Sequence, residues 1–201
     1  MKLTHAGDAA ALAISSFENN VHGKVEPLHS EISVPDLASK IQSYHDSYVA
    51  GVYPELSDPF EIALFNTYRD ATYPLGWPRP LKLHEDERGS LFEAVKGKGG
   101  GQTFLSTTKP GITRGNHFHL SKVERFLVIQ GDAVIRIRKV LTDDCWEYPV
   151  SGASPAIVDM PTLWTHSIEN VGASPLITLF WTNDIFDPQN PDTFADEVVT
   201  S

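Results

Sequence analysis

Three histidines and one glutamate in this sequence carry spacings that suit a metal ion. His117 and His119 stand two residues apart, so on a strand both imidazoles point to one face. Glu124 follows after four residues, at the head of the next apolar run, and His166 comes later between Pro161 and Asn170. Three imidazoles and a carboxylate are a donor set for Zn²⁺, Fe²⁺, Mn²⁺ or Ni²⁺. The same four side chains also suit a metal-free pocket in which they hydrogen-bond one another or act as acids and bases. A basic cluster accompanies them. Lys109, Arg114, Lys122 and Arg125 fall between 109 and 125, with Glu124 the lone acid in that stretch. The alternative to a binding role is a solvated surface. In a chain of net charge −10, however, such a patch suits an anionic ligand such as a pyrophosphate. Arg88, next to Gly89, is a further candidate for that anion, with a structural turn as its alternative.

Strands must hold these groups. From residue 102 onward short apolar runs recur at regular spacing: 102–107, 123–129, 133–140, 146–150, 156–159, 167–170 and 176–182. Ile135-Arg136-Ile137-Arg138 alternates as a half-buried strand does, and Gln130-Gly131-Asp132 reads as a hairpin turn. Many short strands in so few residues predict a sandwich or barrel. The run Gly97-Lys98-Gly99-Gly100-Gly101 lacks the spacing of a phosphate loop and reads as a turn between strands. Cys145 falls in an expected turn with no role as a nucleophile. His84 reads as a surface residue, and Trp164 and Trp181 as core or pocket wall. Glu169 and Asn170 are expected to fix the strand of His166.

Residues 1–75 differ in character. Ser33 caps an expected helix with Pro35 and Asp36 in its first turn, and Leu37, Ile41, Tyr44 and Tyr48 follow on one face. Asp58, Pro59 and Glu61 start a second helix with the capping-box spacing, carrying Phe60, Leu64, Phe65 and Tyr68. Residues 1–30 show no clear periodicity and are expected to be loosely ordered. Tyr73 to Pro80 holds three prolines and a glycine, which marks a linker. The reading is therefore two domains, a helical segment 1–75 and a β domain 76–201.

Composition narrows the function. With 16 basic and 26 acidic side chains, the chain is a poor nucleic-acid binder. No apolar run approaches the roughly 20 residues that span a bilayer. Asp8 interrupts any signal-peptide core, so the expected location is the cytoplasm. One cysteine excludes an internal disulfide.

Gly111, five residues, His117-x-His119, four residues, Glu124, six residues and Gly131 together match the first cupin motif. Pro161, four residues, His166, three residues and Asn170 match the second. Leu163 and Pro155 replace the two glycines usual in that second element. The resemblance implies a mainly β cupin jelly roll, a double-stranded β-helix, behind a small helical N-terminal segment. A narrower resemblance runs through 108–119, Glu124-Arg125-Phe126-Leu127-Val128, 150–152, 165–172 and 186–193. These stretches resemble the C-terminal half of the bifunctional capsular polysaccharide enzymes of the UDP-N-acetyl-L-fucosamine pathway. There an NADPH-dependent reductase domain precedes a zinc cupin that epimerises C3 of a UDP-linked 4-keto-6-deoxy-N-acetylhexosamine. Residues 30–72, with Phe65-Asn66-Thr67-Tyr68-Arg69, resemble the end of the reductase half.

The resemblance implies a nucleotide-sugar epimerase with zinc on His117, His119, Glu124 and His166, cytoplasmic and homodimeric. The sequence departs from the reductase pattern. It has no glycine-rich nucleotide turn, and no tyrosine is followed four residues later by lysine, so NADPH binding is not expected of it. A split or truncated form is the corresponding expectation. Asp86-Glu87-Arg88-Gly89 and Arg114-Gly115-Asn116-His117 also resemble the wider sugar-nucleotide epimerase cupins, where two arginines bind the pyrophosphate and the position of His117 is the catalytic base. The two resemblances assign His117 different roles. Other readings of the same set are an Fe²⁺ oxygenase, a metal-free ketoisomerase and a non-catalytic nucleotide-sugar binding module.

Overall fold

Alternating apolar residues from Gly101 to Thr182 zip into antiparallel ladders. The computed structural model describes residues 1–199 and divides into two compact units, Met1–Trp77 and Pro78–Ser201.

In the first unit, β1 (Lys2–Leu3) pairs antiparallel with β2 (Ser30–Glu31), around α1 (Ala6–Glu18) in sequence. The helix corrects the expectation of loose order for 1–30. Five alanines supply its propensity and none of its residues is buried, so no apolar periodicity announces it. Next come α2 (Val34–Val49), β3 (Val52–Tyr53) and α3 (Pro59–Thr72). Both later helices start as their caps require. Ser33 Oγ accepts from Asp36 N at 3.1 Å, and Asp58 Oδ1 accepts from Glu61 N at 3.0 Å. A small aromatic core of Tyr44, Tyr48 and Phe65 joins α2 to α3, with both tyrosine rings edge-on to Phe65 at 5.3 Å. Ile41, expected on the buried face, is 38% exposed.

The second unit contains β4 (His84–Asp86), β5 (Gly89–Gly97), β6 (Gly101–Thr108), β7 (Thr113–Phe118), β8 (Glu124–Gln130), β9 (Asp132–Lys139), β10 (Cys145–Ser151), β11 (Ile157–Met160), β12 (Trp164–Asn170), β13 (Leu176–Thr182) and β14 (Phe194–Ala195). One sheet runs β10-β9-β12-β7-β14, and the other carries β11-β8-β13-β6-β5 with β4 beside β5. Every pairing among these strands is antiparallel. Phe126, Val128, Ile135, Ile137, Ile168, Leu176 and Phe180 meet between the sheets. This is the cupin jelly roll.

Gly131, at φ +93°, turns β8 into β9, a conformation that favours glycine. The glycine run closes the β5–β6 turn, where Gly100 N donates to Gly97 O. Cys145 departs from expectation. It opens β10, exposed and paired with Arg138, because the turn ends one residue earlier. Strands β4, β5 and β7 lie outside the apolar runs read from sequence. β4 is exposed throughout, and β5 and β7 place Glu93, Lys96 and His117 at half-buried positions, which hides the alternation.

Candidate metal centre

Four strand ends bring the polar residues together at one end of this barrel. His117 lies in β7 and His119 one residue beyond it; Glu124 opens β8 and His166 sits in β12, paired directly with His117. Gly115 makes that close pairing feasible, since a Cβ there would lie 2.6 Å from the His166 carbonyl oxygen. One ligand atom from each of the four residues lies within 4.8 Å of the others. The ring centroids are 4.6 Å apart for His117–His166, 5.0 Å for His117–His119 and 5.3 Å for His119–His166.

Backbone carbonyls fix two of the rings. His119 Nδ1 donates to Asp192 O, and His166 Nδ1 donates to Trp164 O at 3.2 Å. A carbonyl only accepts, so both neutral rings carry their proton on Nδ1 and turn a bare Nε2 inward. Each Nε2 then lies 3.2 Å from Glu124 Oε2, a lone pair facing a carboxylate oxygen. For His166 the angle is outside hydrogen-bond geometry, and this fully buried nitrogen has no hydrogen-bond partner. Such a contact is repulsive unless a cation, a proton or a metal ion, sits between the groups. The residues therefore fit a divalent ion.

Protonation states agree. Burial pushes His117 down to about 4, helped by the neighbouring imidazole of His166, so the ring is neutral and its lone pair free at neutral pH. Burial opposes ionisation of Glu124, while positive charge at the His119 and His166 nitrogens beside it lowers the carboxyl to about 2, so an ionised Glu124 requires a cation at those contacts, the place an ion would take.

His117, His119 and Glu124 line a cavity of about 280 Å³, and His166 is fully buried behind them. Phe104, Phe126 and Phe180 line it, and Arg88, Arg114 and Lys122 stand on the same wall system. Of the five cations read as candidates for an anion, Arg88, Arg114 and Lys122 thus line the cavity, Lys109 does not, and Arg125 instead pairs with Asp159. Arg114 is largely buried, with Nε on Thr108 Oγ1 at 3.0 Å and Nη2 on Thr107 O at 3.2 Å. Burial and the nearby Arg88 lower its pKa. Arg88 grips Asp86, whose Oδ1 also lies 3.8 Å from Arg114 Nη2. Asp86 is a counter-charge that the sequence showed only as part of the Asp86-Glu87-Arg88-Gly89 resemblance.

Other expected residues fall into place. Asn170 is fully buried and donates to Thr108 O and Ser174 O, so it ties the end of β12 without touching His166; Glu169 pairs with Arg136. Trp164 packs on the core and Trp181 donates to Gly100 O. His84 is exposed on β4. Two residues escaped the sequence reading: Asp192, which holds the loop after His119, and Asp196, which holds Thr165 and Arg138.

Residues 84–194 match the model of the polysaccharide biosynthesis C-terminal domain. The chain belongs to this family. Within and around it, the chain is 36% identical over 177 residues to a UDP-2-acetamido-2,6-beta-L-arabino-hexul-4-ose reductase of Pseudomonas aeruginosa, covering 88% of this chain and 47% of that protein. It is 23% identical over 124 residues to the spore coat polysaccharide biosynthesis protein SpsL of Bacillus subtilis, covering 57% of this chain and 82% of that one. Among solved structures, the capsular polysaccharide assembling protein CapF of Staphylococcus aureus superposes with a TM-score of 0.87 at 34% identity, over 98% of this chain and 55% of that one. The chain spans about half the length of the reductase and of CapF.

Proposed function

We propose that the second unit of this family member is a metal-dependent epimerase acting at C3 of a UDP-linked 4-keto-6-deoxy-N-acetylhexosamine, in the synthesis of a surface polysaccharide precursor. The observation that carries the reading is the convergence of His117, His119, Glu124 and His166, three of which line a cavity that also presents Arg88, Arg114 and Lys122. Relatedness to a UDP-sugar reductase and to capsule and spore-coat proteins supports the substrate class.

Epimerisation beside a ketone removes the C3 proton and returns it to the other face, at the cost of an enolate. His117, His119, Glu124 and His166 would hold the ion, zinc first among the candidates, and when bound it supplies Lewis-acid stabilisation of the enolate oxygen. Arg114, already clamped by Thr107 and Thr108, presents a fixed cation to the diphosphate, and Arg88 and Lys122 add to it. Phe104, Phe126 and Phe180 keep water from the reacting face. The metal-free alternative makes His117 the base, a role its neutral state would allow. The lone-pair contacts of Glu124 with two inward nitrogens favour a bound ion over it. The reading includes a homodimer, for which β10 and β11 leave open sheet edges.

The test is isotope exchange. The zinc-loaded protein, incubated in deuterated water with the 4-keto nucleotide sugar and no nicotinamide, should place deuterium on C3, and His166→Ala should abolish it. Arg114→Ala should raise KM with little change in kcat, because a diphosphate contact is made equally before and during the reaction. Absence of C3 exchange from protein holding its metal would reject the epimerase in favour of an oxygenase or a binding module.

A further inference from the structure

We propose that the strap 192–198 is the positioning frame of the metal centre, with Asp192 and Asp196 as its two anchoring residues. The proposal rests on the metal reading above and goes beyond it by assigning roles to residues that do not reach the ion.

Asp192 controls two ligands. Its carboxylate accepts from the backbone N–H groups of Leu120, Ser121 and Lys122 at 2.9, 2.9 and 2.8 Å, and from the Ser121 hydroxyl at 2.9 Å. Those residues are the loop that connects His119 to Glu124. Its own carbonyl accepts the Nδ1 proton of His119. One residue thus sets both the path of the chain into Glu124 and the tautomer and tilt of the His119 ring. Asp192 adopts φ +43°, a conformation that costs a non-glycine residue, and this turn aims carboxylate and carbonyl at the same loop.

Asp196 controls the other two. Its Oδ2 accepts from Thr165 Oγ1, and Thr165 adjoins His166. Its backbone N–H donates to Asn116 O at 3.0 Å, and Asn116 adjoins His117. Arg138, buried beneath, binds Asp196 Oδ2 at 2.6 Å and Val198 O at 3.0 Å. Between the two anchors, Ala195 pairs with His117 in the β14–β7 ladder. Every contact spans thirty or more residues of sequence, so each orders a long loop. Together they fix the neighbours of all four candidate ligands, as outer partners of a metal site do.

The experiment uses the full chain, freed of metal and then titrated with zinc against a chromophoric chelator. Asp192→Gly accommodates the backbone while removing the carboxylate, and Asp192→Asn keeps one acceptor. Asp196→Asn keeps the Thr165 acceptor and weakens the Arg138 pair. Lys24→Ala, which breaks an exposed ion pair with Glu26 in the first unit, is the control. Zinc affinity should fall about 10- to 100-fold in Asp192→Gly and Asp196→Asn, less in Asp192→Asn, and not at all in the control. In the metal-free protein, long-range ¹H–¹⁵N spectra should show His119 as the Nδ1–H tautomer, and a tautomer mixture in Asp192→Gly, where the loop 120–122, released from the lost carboxylate, no longer holds the ring against the residue 192 carbonyl. Folded Asp192 and Asp196 variants that bind zinc within twofold of the parent would overturn the frame. If the parent takes up no zinc, iron or manganese, the metal reading fails by itself; the tautomer spectra then decide whether the frame stands.

Discussion

His117, a candidate ligand, changes its proton affinity when the chain folds. Its ordinary pKa of 6.5 applies to the unfolded chain, while in the folded protein burial and His166 bring it down to about 4. Between those values the unfolded state binds a proton that the folded state refuses. Stability of the metal-free protein therefore falls as pH drops from 6.5 toward 4, by on the order of 3 kcal/mol at most. Urea denaturation of chelator-treated protein at pH 7.5 and pH 4.5 should show the loss, and His117→Gln should flatten it. A pH-independent midpoint would mean that the ring is solvated rather than buried. The four candidate ligands were legible because their spacing is local and chemical. Asp86, Asp192 and Asp196 were not, because each acts through contacts that only the closed barrel creates. Arg88, Arg114 and Lys122 were legible as charge. Whether they reach the cavity, as Arg125 does not, required the fold.

At the level of elements, the strands from β8 to β13 could be read because they alternate, and α2 and α3 because their caps are written in sequence. The helix α1 could not, since alanine propensity leaves no buried stripe. The turn into β12 illustrates a pattern kept with the wrong residue. Leu163 occupies the position where the second cupin motif has glycine, and it adopts φ +62° all the same. Its amide donates to His119 O at 2.8 Å and its carbonyl accepts from Val140 N at 3.0 Å, so the barrel imposes the conformation. Leu163 is 50% exposed, so replacing it forfeits little burial. Leu163→Gly should relieve roughly 1–2 kcal/mol of backbone strain, offset by about 0.5–1 kcal/mol of added unfolded-state entropy. The expected net is a small gain in thermal stability, with zinc affinity unchanged, measured by calorimetry on metal-free protein. A loss above about 1 kcal/mol would show that the leucine side chain itself supports the turn.

On the scale of the whole molecule, the chain joins a complete jelly roll to a short helical unit, and it spans about half of the reductase and CapF that it resembles. Among the described residues no helix is long and apolar enough to cross a membrane. The helical unit holds its own aromatic core, with Glu61 gripping both Lys40 and Tyr44. Burial first, then the Glu61 contact, pushes the Tyr44 hydroxyl well above the usual tyrosine range, the reverse of what a proton-donating tyrosine needs. The sequence has no glycine turn to seat a dinucleotide. The prediction is that this chain handles the sugar without nicotinamide. Titration with NADPH, followed by quenching of the intrinsic fluorescence of Trp77, should give no saturable change up to millimolar concentration, while UDP should saturate in a parallel equilibrium-dialysis experiment through Arg88 and Arg114. Adding salt should weaken UDP binding, as expected of a contact made by charge. A micromolar NADPH dissociation constant would reverse the assignment and make the helical unit a cofactor-binding element.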